Sequence, residues 1–368
     1  MTQFYGKTKV CYGTNALDNL QKLPGKDVFI VTDSFIAKTG FVDQVKSNLS
    51  TGVLSTIFDE VEADPSLDTI TTATHLFMKS EADIIIAIGG GSAIDAAKAV
   101  AYFANHADLL RPPPYLVAIP TTSGTGSEVT SISVVTDKKN GLKIPLQDDT
   151  LTPDLAILDA RFTRTMPPSI TAATGMDVLT HAIEAYVSNR ANLFTSIYAE
   201  NAIKIVFKYL PRAYVSGEDM EAREQLLLAS CMAGMSFNNS GLGITHSVAH
   251  SLGGLFHIPH GIANAVLLPS VIEFNSFDAC IQYQKLAHCL GLPASSMDEG
   301  SSSFLEAVRQ LNASLDIPSR ISGLDIDEGA YISNLSTMAN NILQDICTTT
   351  NPKKASYDDV IQLLKKAW

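Results

Sequence analysis

Residues 84–100 read IIIAIGGGSAIDAAKAV, and no other stretch of the 368-residue chain narrows the choice of fold as much. A short β-branched apolar run passes directly into three glycines and then into an alanine-rich helical pattern. A strand apolar on both faces is buried on both faces, which is the setting of a parallel sheet covered by helices. The sharp turn into a helix is the start of the crossover that such a sheet requires.

The surrounding sequence repeats the unit. Strands are predicted at Val28–Thr32, Val53–Phe58, Ile84–Ile88, Leu116–Ile119, Ile132–Val135 and Leu155–Leu158, with helical spacing between the first four. This alternation predicts an open, mostly parallel α/β sheet with helices on both faces. After Pro167-Pro168 the texture changes. Apolar residues recur at helical spacing through 170–187, 194–210, 226–237 and 262–274, and again through 304–315, 331–342 and 360–368, without strand alternation. The chain is therefore read as an α/β domain over 1–160 followed by an all-helical domain over 161–368.

Charge and composition exclude several classes. A net charge of −12 argues against a phosphate-backbone partner, so no nucleic acid, and against an acidic membrane surface. The N-terminal MTQFYGKTKVCYG lacks the apolar core of a signal peptide. LLLASCMAGM, from Leu226, falls well short of the ~20 residues of a membrane helix. Five scattered cysteines without a C-x-x-C pair read as free thiols in a reducing compartment, hence a cytoplasmic location.

The glycine turn fits a dinucleotide. Glycines at 89–91 let backbone approach a ligand closely, and free amides at a helix start attract phosphate oxygens. Ser92 is placed to cap the helix and to donate to phosphate. A second loop, AIPTTSGTGSEVT from Ala118, follows another strand and offers hydroxyls at Thr121, Thr122, Ser123, Thr125 and Ser127. Asp33 ends the VFIVT strand, where a doubly wound fold presents a residue to the adenosine ribose; a carboxylate there favours NAD over NADP. The bland alternatives are a plain strand–helix turn, a flexible surface loop and a turn aspartate.

Five of the eight histidines lie between His181 and His260. Asp177 and His181 are i and i+4 on a predicted helix, as are His246 and His250, so each pair shares one face. His257 and His260 follow around Pro259, ahead of the next helix. A carboxylate with several imidazoles suits Fe(II) or Zn(II). A single core histidine or an Asp–His ion pair is the ordinary reading of either pair alone; two such pairs with a third site favour a metal. His75, His106 and His288 stand outside the pattern.

GGGSAIDAAK, PTTSGTGSEVT, TGMDVLTHAIEAY and THSVAHSLGGLFHIPHG together resemble the iron-containing (group III) alcohol dehydrogenases. The resemblance implies a dehydroquinate-synthase-like fold, with an N-terminal dinucleotide-binding domain, a helical metal-binding domain and a catalytic cleft between them. It assigns Asp177, His181, His246 and His260 as metal ligands and His250 as the histidine near nicotinamide and substrate. His257 is left as a cleft residue. Gly90, Gly91, Ser92, Thr121 and Thr122 match the cofactor loops, and Lys143 in GLKIP matches a lysine near the nicotinamide ribose. Within the family the likeness narrows to the propanol dehydrogenases of bacterial propanediol utilisation. That implies reduction of propionaldehyde to 1-propanol with regeneration of NAD, a homodimer or larger homo-oligomer, and a microcompartment setting with shell or enzyme partners. Phe237, Leu242, Leu252 and Phe256 are expected to line an apolar substrate pocket.

Three other readings remain. Ethanol, butanol or polyol dehydrogenases of the same family share these motifs. A dehydroquinate-synthase-type lyase needs Lys and Arg around an anionic substrate, and the helical half offers chiefly Arg190 near the histidines. A non-catalytic NAD-binding protein would have degraded ligand positions, whereas all four carry competent side chains.

Overall fold

The structure is a computed structural model that describes residues 3–25, 27–108, 112–139 and 142–368. Contacts divide the chain into two compact units, Tyr5–Met166, and Pro167–Trp368 joined by the N-terminal segment through Phe4.

In the first unit the strands are β1 Lys9–Tyr12, β2 Asp27–Val31, β3 Leu54–Phe58, β4 Ile84–Gly89, β5 Tyr115–Pro120, β6 Ile132–Asp137, β7 Leu142–Gln147 and β8 Leu155–Leu158. Its helices are α1 Phe41–Ser47, α2 Leu67–Lys79 and α3 Gly91–Ala107. Six strands pair in the order β1-β8-β5-β4-β2-β3, all parallel. Alternation along β4 explains its continuous apolar sequence. Ile85 and Ala87 pack on one face with Phe77, Ala97 and Val100, while Ile84, Ile86 and Ile88 pack on the other with Leu17, Phe41 and Phe162. Both faces are covered, as a parallel sheet requires.

Strand order reverses between β2 and β4. Ligands of open α/β sheets bind at such a switch point, outside the carboxyl ends of the strands. Those ends carry Asp33 and the glycine turn.

Two elements differ from the sequence reading. Ile132–Asp137 does not join the main sheet; it forms an antiparallel pair with Leu142–Gln147. The partner, LKIPLQ, contains a proline and alternates on a largely exposed surface, so it carries little apolar signal. The edge strand β1, KVCY, is only four residues long and partly exposed.

The second unit is helical throughout its described elements: α4 Pro168–Val187, α5 Leu193–Val215, α6 Met220–Ser240, α7 Ile244–Phe256, α8 His260–Asn275, α9 Cys280–Cys289, α10 Met297–Ser314, α11 Glu328–Gln344 and α12 Tyr357–Ala367. Helix α4 is the centre of its core and is buried almost continuously from Thr171 to Val187. Gly175 permits this, because a Cβ there would come within 2.3 Å of Leu210 on α5. No described helix is long and apolar enough to cross a membrane. All five cysteines are free.

Candidate active site

Three helices carry the histidine cluster. Asp177 and His181 sit one turn apart on α4 and are buried. Helix α7 starts after two glycines, and Gly243 leaves room for Glu184, whose Oε1 would lie 2.8 Å from a Cβ at that position. His257 closes α7 in the left-handed conformation (φ 57°) and is exposed; it ends the helix so that Pro259 can begin the next. Gly261 then lets α8 meet α4 closely, since a Cβ would stand 2.4 Å from the Ala173 carbonyl oxygen. This approach brings His260 to Asp177.

Asp177 Oδ1 lies 3.5 Å from His260 Nε2, 3.8 Å from His246 Nε2 and 4.0 Å from His181 Nε2. The four candidate ligand atoms all fall within 4.8 Å of one another. Donors about 2.0–2.2 Å from one tetrahedral ion stand ~3.3–3.6 Å apart, so the spacing suits a single cation. Asp177, His181 and His246 are buried, while the His260 side chain is 41% exposed and marks the open side.

The lone pairs also call for a cation. The Asn264 amide nitrogen lies 2.7 Å from Asp177 Oδ1, 3.2 Å from His246 Nε2 and 3.1 Å from His260 Nε2. An amide carries two hydrogens, so three acceptors cannot all be served by it. These residues fit a divalent metal.

Glu184 fixes one candidate ligand, His246. Its Oε2 accepts from His246 Nδ1 at 2.6 Å and from the Gly243 amide at 2.8 Å; its Oε1 accepts from the Thr245 amide at 2.7 Å. Burial and the neighbouring His181 and His260 hold His246 well below its ordinary pKa. The ring is thus neutral, with the Nδ1 proton given to Glu184 and the Nε2 lone pair turned to the cluster. Burial raises the Glu184 carboxyl, and the bonds from Thr245 and Gly243 oppose that rise.

His250 stands beside the cluster, its ring stacked on His260 with centroids 5.5 Å apart. Its Nδ1 donates to Asp345 Oδ2 at 2.8 Å. Asp345 Oδ1 in turn accepts from the Cys347 amide at 2.8 Å and from Ser247 Oγ at 3.2 Å. Burial would raise the Asp345 carboxyl, but the His250 bond and charge bring it down to about 2. Phe237 stacks on His181 at 4.5 Å. Leu252, expected to line a pocket, is a fully buried core residue, because its side of α7 faces the helical core. Leu242 and Phe256 pack against that core partly buried.

In the first unit the two loops meet. The Thr121 amide donates to the Gly89 carbonyl at 2.9 Å. A Cβ on Gly90 would lie 3.3 Å from Thr122, and one on Gly91 would lie 2.7 Å from Thr125 Cγ2. This is a backbone cradle that side chains would fill, and it fits a dinucleotide diphosphate. Asp33 gives Oδ1 to the amides of Phe35 and Ile36, both at 2.9 Å, while its Oδ2 is directed toward Gly89. Ser92 does not cap α3. The cap position is Gly90, without a side-chain bond, because Ser92 already lies within the helix; its Oγ accepts from the Asp64 amide at 3.4 Å. Lys143, on β7, pairs with the carboxylate of Asp64, whose amide is the one that meets Ser92, at 2.7 Å.

Sequence reasoning missed Glu184, Asn264 and Asp345. Glu184 follows Asp177 and His181 at i+7 and i+3, so the helix face signalled it. Asn264 is i+4 from His260. Asp345 is 95 residues from its histidine partner and carried no such signal.

A doubly wound sheet with a glycine cradle, and a helical unit with converging carboxylate and imidazoles, fit a nucleotide- and metal-using enzyme. Residues 7–160 match the iron-containing alcohol dehydrogenase model, and residues 171–368 match the C-terminal model of the Fe-containing alcohol dehydrogenase family. The chain belongs to the iron-containing alcohol dehydrogenase family and is an enzyme of that family. It is 40% identical over 380 residues to an NADPH-dependent butanol dehydrogenase of Clostridium saccharobutylicum, covering 99% of this chain and 97% of that one. It is 39% identical over 370 residues to a 1-propanol dehydrogenase of Citrobacter freundii, covering 100% of both. The crystal structure of a 1,3-propanediol oxidoreductase superposes with a TM-score of 0.95 at 34% identity over 100% of both chains.

Proposed function

We propose that the chain interconverts a short primary alcohol and its aldehyde with NAD(H) and divalent iron, the preferred pair being 1-propanol and propionaldehyde. The observation that carries this reading is the convergence of Asp177, His181, His246 and His260 on one point. In this reading residues 1–160 are the NAD-binding domain and 161–368 the metal-binding domain. Assembly as a homo-oligomer, and a cytoplasmic or microcompartment setting, extend the same likeness.

A divalent ion held by those four residues supplies Lewis acidity to the substrate oxygen; Zn(II) suits the donors as Fe(II) does. The nicotinamide supplies the hydride acceptor or donor. Gly90, Gly91, Ser92, Thr121 and Thr122 hold the diphosphate, and Lys143 serves the nicotinamide ribose. Asp33 Oδ2 accepts from the adenosine ribose and repels a 2′-phosphate, which favours NAD although one relative uses NADPH.

Glu184 keeps His246 in the tautomer that offers Nε2 to the site. Asp345 holds Nδ1–H of His250, so that Nε2 is the atom that gives or takes a proton at the substrate oxygen. Phe237, flat against His181, adds an apolar wall suited to a short alkyl chain.

The test is oxidation of NADH and NADPH by acetaldehyde, propionaldehyde and butyraldehyde, using oxygen-free protein as apo, Fe(II)-loaded and Zn(II)-loaded samples. Fastest turnover with NADH, propionaldehyde and Fe(II) supports the full reading. Preference for another aldehyde overturns the substrate assignment alone, and silence of both loaded forms overturns the metal-centred reading.

A further inference from the structure

The first ten residues of helix α3 carry two charged residues among small and apolar ones, Asp95 and Lys98, and neither belongs to the glycine turn. Both are spent on the segment that follows β5. Asp95 Oδ1 accepts from Ser127 Oγ at 2.6 Å, its Oδ2 accepts from the Val134 amide at 2.9 Å, and its carbonyl accepts from Ser133 Oγ at 2.8 Å. Lys98 is fully buried and donates to Thr130 Oγ1 at 2.9 Å and to the Ile132 carbonyl at 2.8 Å. The other end of the segment is tied by the Thr121 amide to the Gly89 carbonyl. Between the two ties lie Thr122, against Gly90, and Thr125, against Gly91; Thr125 Oγ1 also accepts from the Ser127 amide at 3.2 Å.

We infer that Asp95 and Lys98 are positioning residues for the dinucleotide: they clamp residues 127–134 to α3, so that Thr122 and Thr125 stand over the glycine turn before the diphosphate arrives. This rests on the nucleotide reading of that turn. Burying an ammonium and a carboxylate is costly unless their bonds are made, so the clamp is either closed or the segment is released. A released segment must order on binding, and apparent affinity falls with the fraction of molecules already in the competent shape.

The experiment compares wild type with Asp95→Asn and Lys98→Met. Ser127→Ala and Thr130→Val each remove one bond of the clamp from the loop side, to Asp95 and to Lys98 respectively, in case the helix variants do not fold. NADH binding is titrated by fluorescence, amide exchange of residues 121–134 is followed without nucleotide, and kcat is measured at saturating NADH. The expected result is an NADH Kd raised ~10-fold, as for a competent fraction of about one tenth. Faster exchange confined to 121–134 and a kcat changed far less than KM accompany it. Folded variants that bind NADH within twofold of wild type, with unchanged exchange, overturn the inference. A wild type that binds no NADH overturns the nucleotide reading itself, which is a different failure.

Discussion

Replacing Glu184 by Gln tests whether the buried carboxylate sets the chemistry of His246. The two side chains have the same shape, so only donors and acceptors change. Glu184 meets three N–H groups: Gly243 and His246 on Oε2, Thr245 on Oε1. A glutamine has one oxygen. With that oxygen in the Oε2 place, its NH2 faces the Thr245 amide. In the Oε1 place its NH2 faces both the Gly243 amide and His246 Nδ1, which drives the imidazole proton to Nε2 and removes the lone pair. The first orientation is cheaper and leaves the Thr245 amide and the NH2 facing it without an acceptor, at about 1–3 kcal/mol for the amide. For a unit of ~200 residues this lowers Tm by about 2–12 °C. His246 then bonds a neutral oxygen in place of a carboxylate, a bond of roughly half the strength. Partners of this kind change metal affinity ~10–100-fold, and the surviving bond places Glu184→Gln near the lower end. Chelator competition under anaerobic conditions measures the affinity, and thermal unfolding of the metal-free protein measures the stability. A variant that binds Fe(II) as tightly as wild type, with unchanged Tm, refutes the reasoning. A lowered Tm with unchanged affinity confines Glu184 to packing.

Three further perturbations address other parts of the site. Asp33→Ala removes the carboxylate beside Gly89, and the NADPH-to-NADH ratio of kcat/KM is expected to rise ~10-fold or more as like-charge repulsion is lost; an unchanged ratio refutes the specificity role. His250→Phe is expected to lower turnover ~10²-fold or more while metal content, measured by elemental analysis, stays at the wild-type level; metal loss would make His250 a ligand. Glu128 is buried, and burial pushes its carboxyl up from 4.5 to about 7. The folded chain therefore keeps a proton that the unfolded chain releases, so this stabilisation is complete below about pH 4.5 and is lost as pH rises through 7. Urea unfolding should show wild type losing at most ~1.4 kcal/mol per pH unit across that window relative to Glu128→Gln; parallel pH profiles for the two proteins would rule this out.

How much of this was legible follows from the range of each signal. The parallel sheet was readable because β4 and β5 are apolar on both faces, and that pattern survives in any short window. The β6–β7 pair was not, since half-exposed strands with a proline lack a dependable period. The candidate ligand cluster was readable because α4 places Asp177 and His181 at i and i+4, and because His246, His250, His257 and His260 crowd one short stretch. Its supports divide by the same rule: Glu184 shares the face of Asp177 and His181, whereas Asp345 reaches His250 only through tertiary folding.

Asp95 and Lys98 were legible in a different way. They sit within GGGSAIDAAKAV, a stretch whose glycines carried the functional reading, and the sequence reading gave the two charges no role. Yet α3 packs against the sheet along nearly its whole length, with Ala93, Ile94, Ala96, Ala97, Ala99 and Val100 buried. A charged side chain inside so apolar a helix cannot be solvated where it stands, so the sequence already requires a polar partner for it. In this chain the polar segment that meets Asp95 and Lys98 is the one at the end of the next strand, β5. That loop is TTSGTGSEVT. The glycine turn and the Thr/Ser loop are thereby joined, and the joint is made by Asp95 and Lys98.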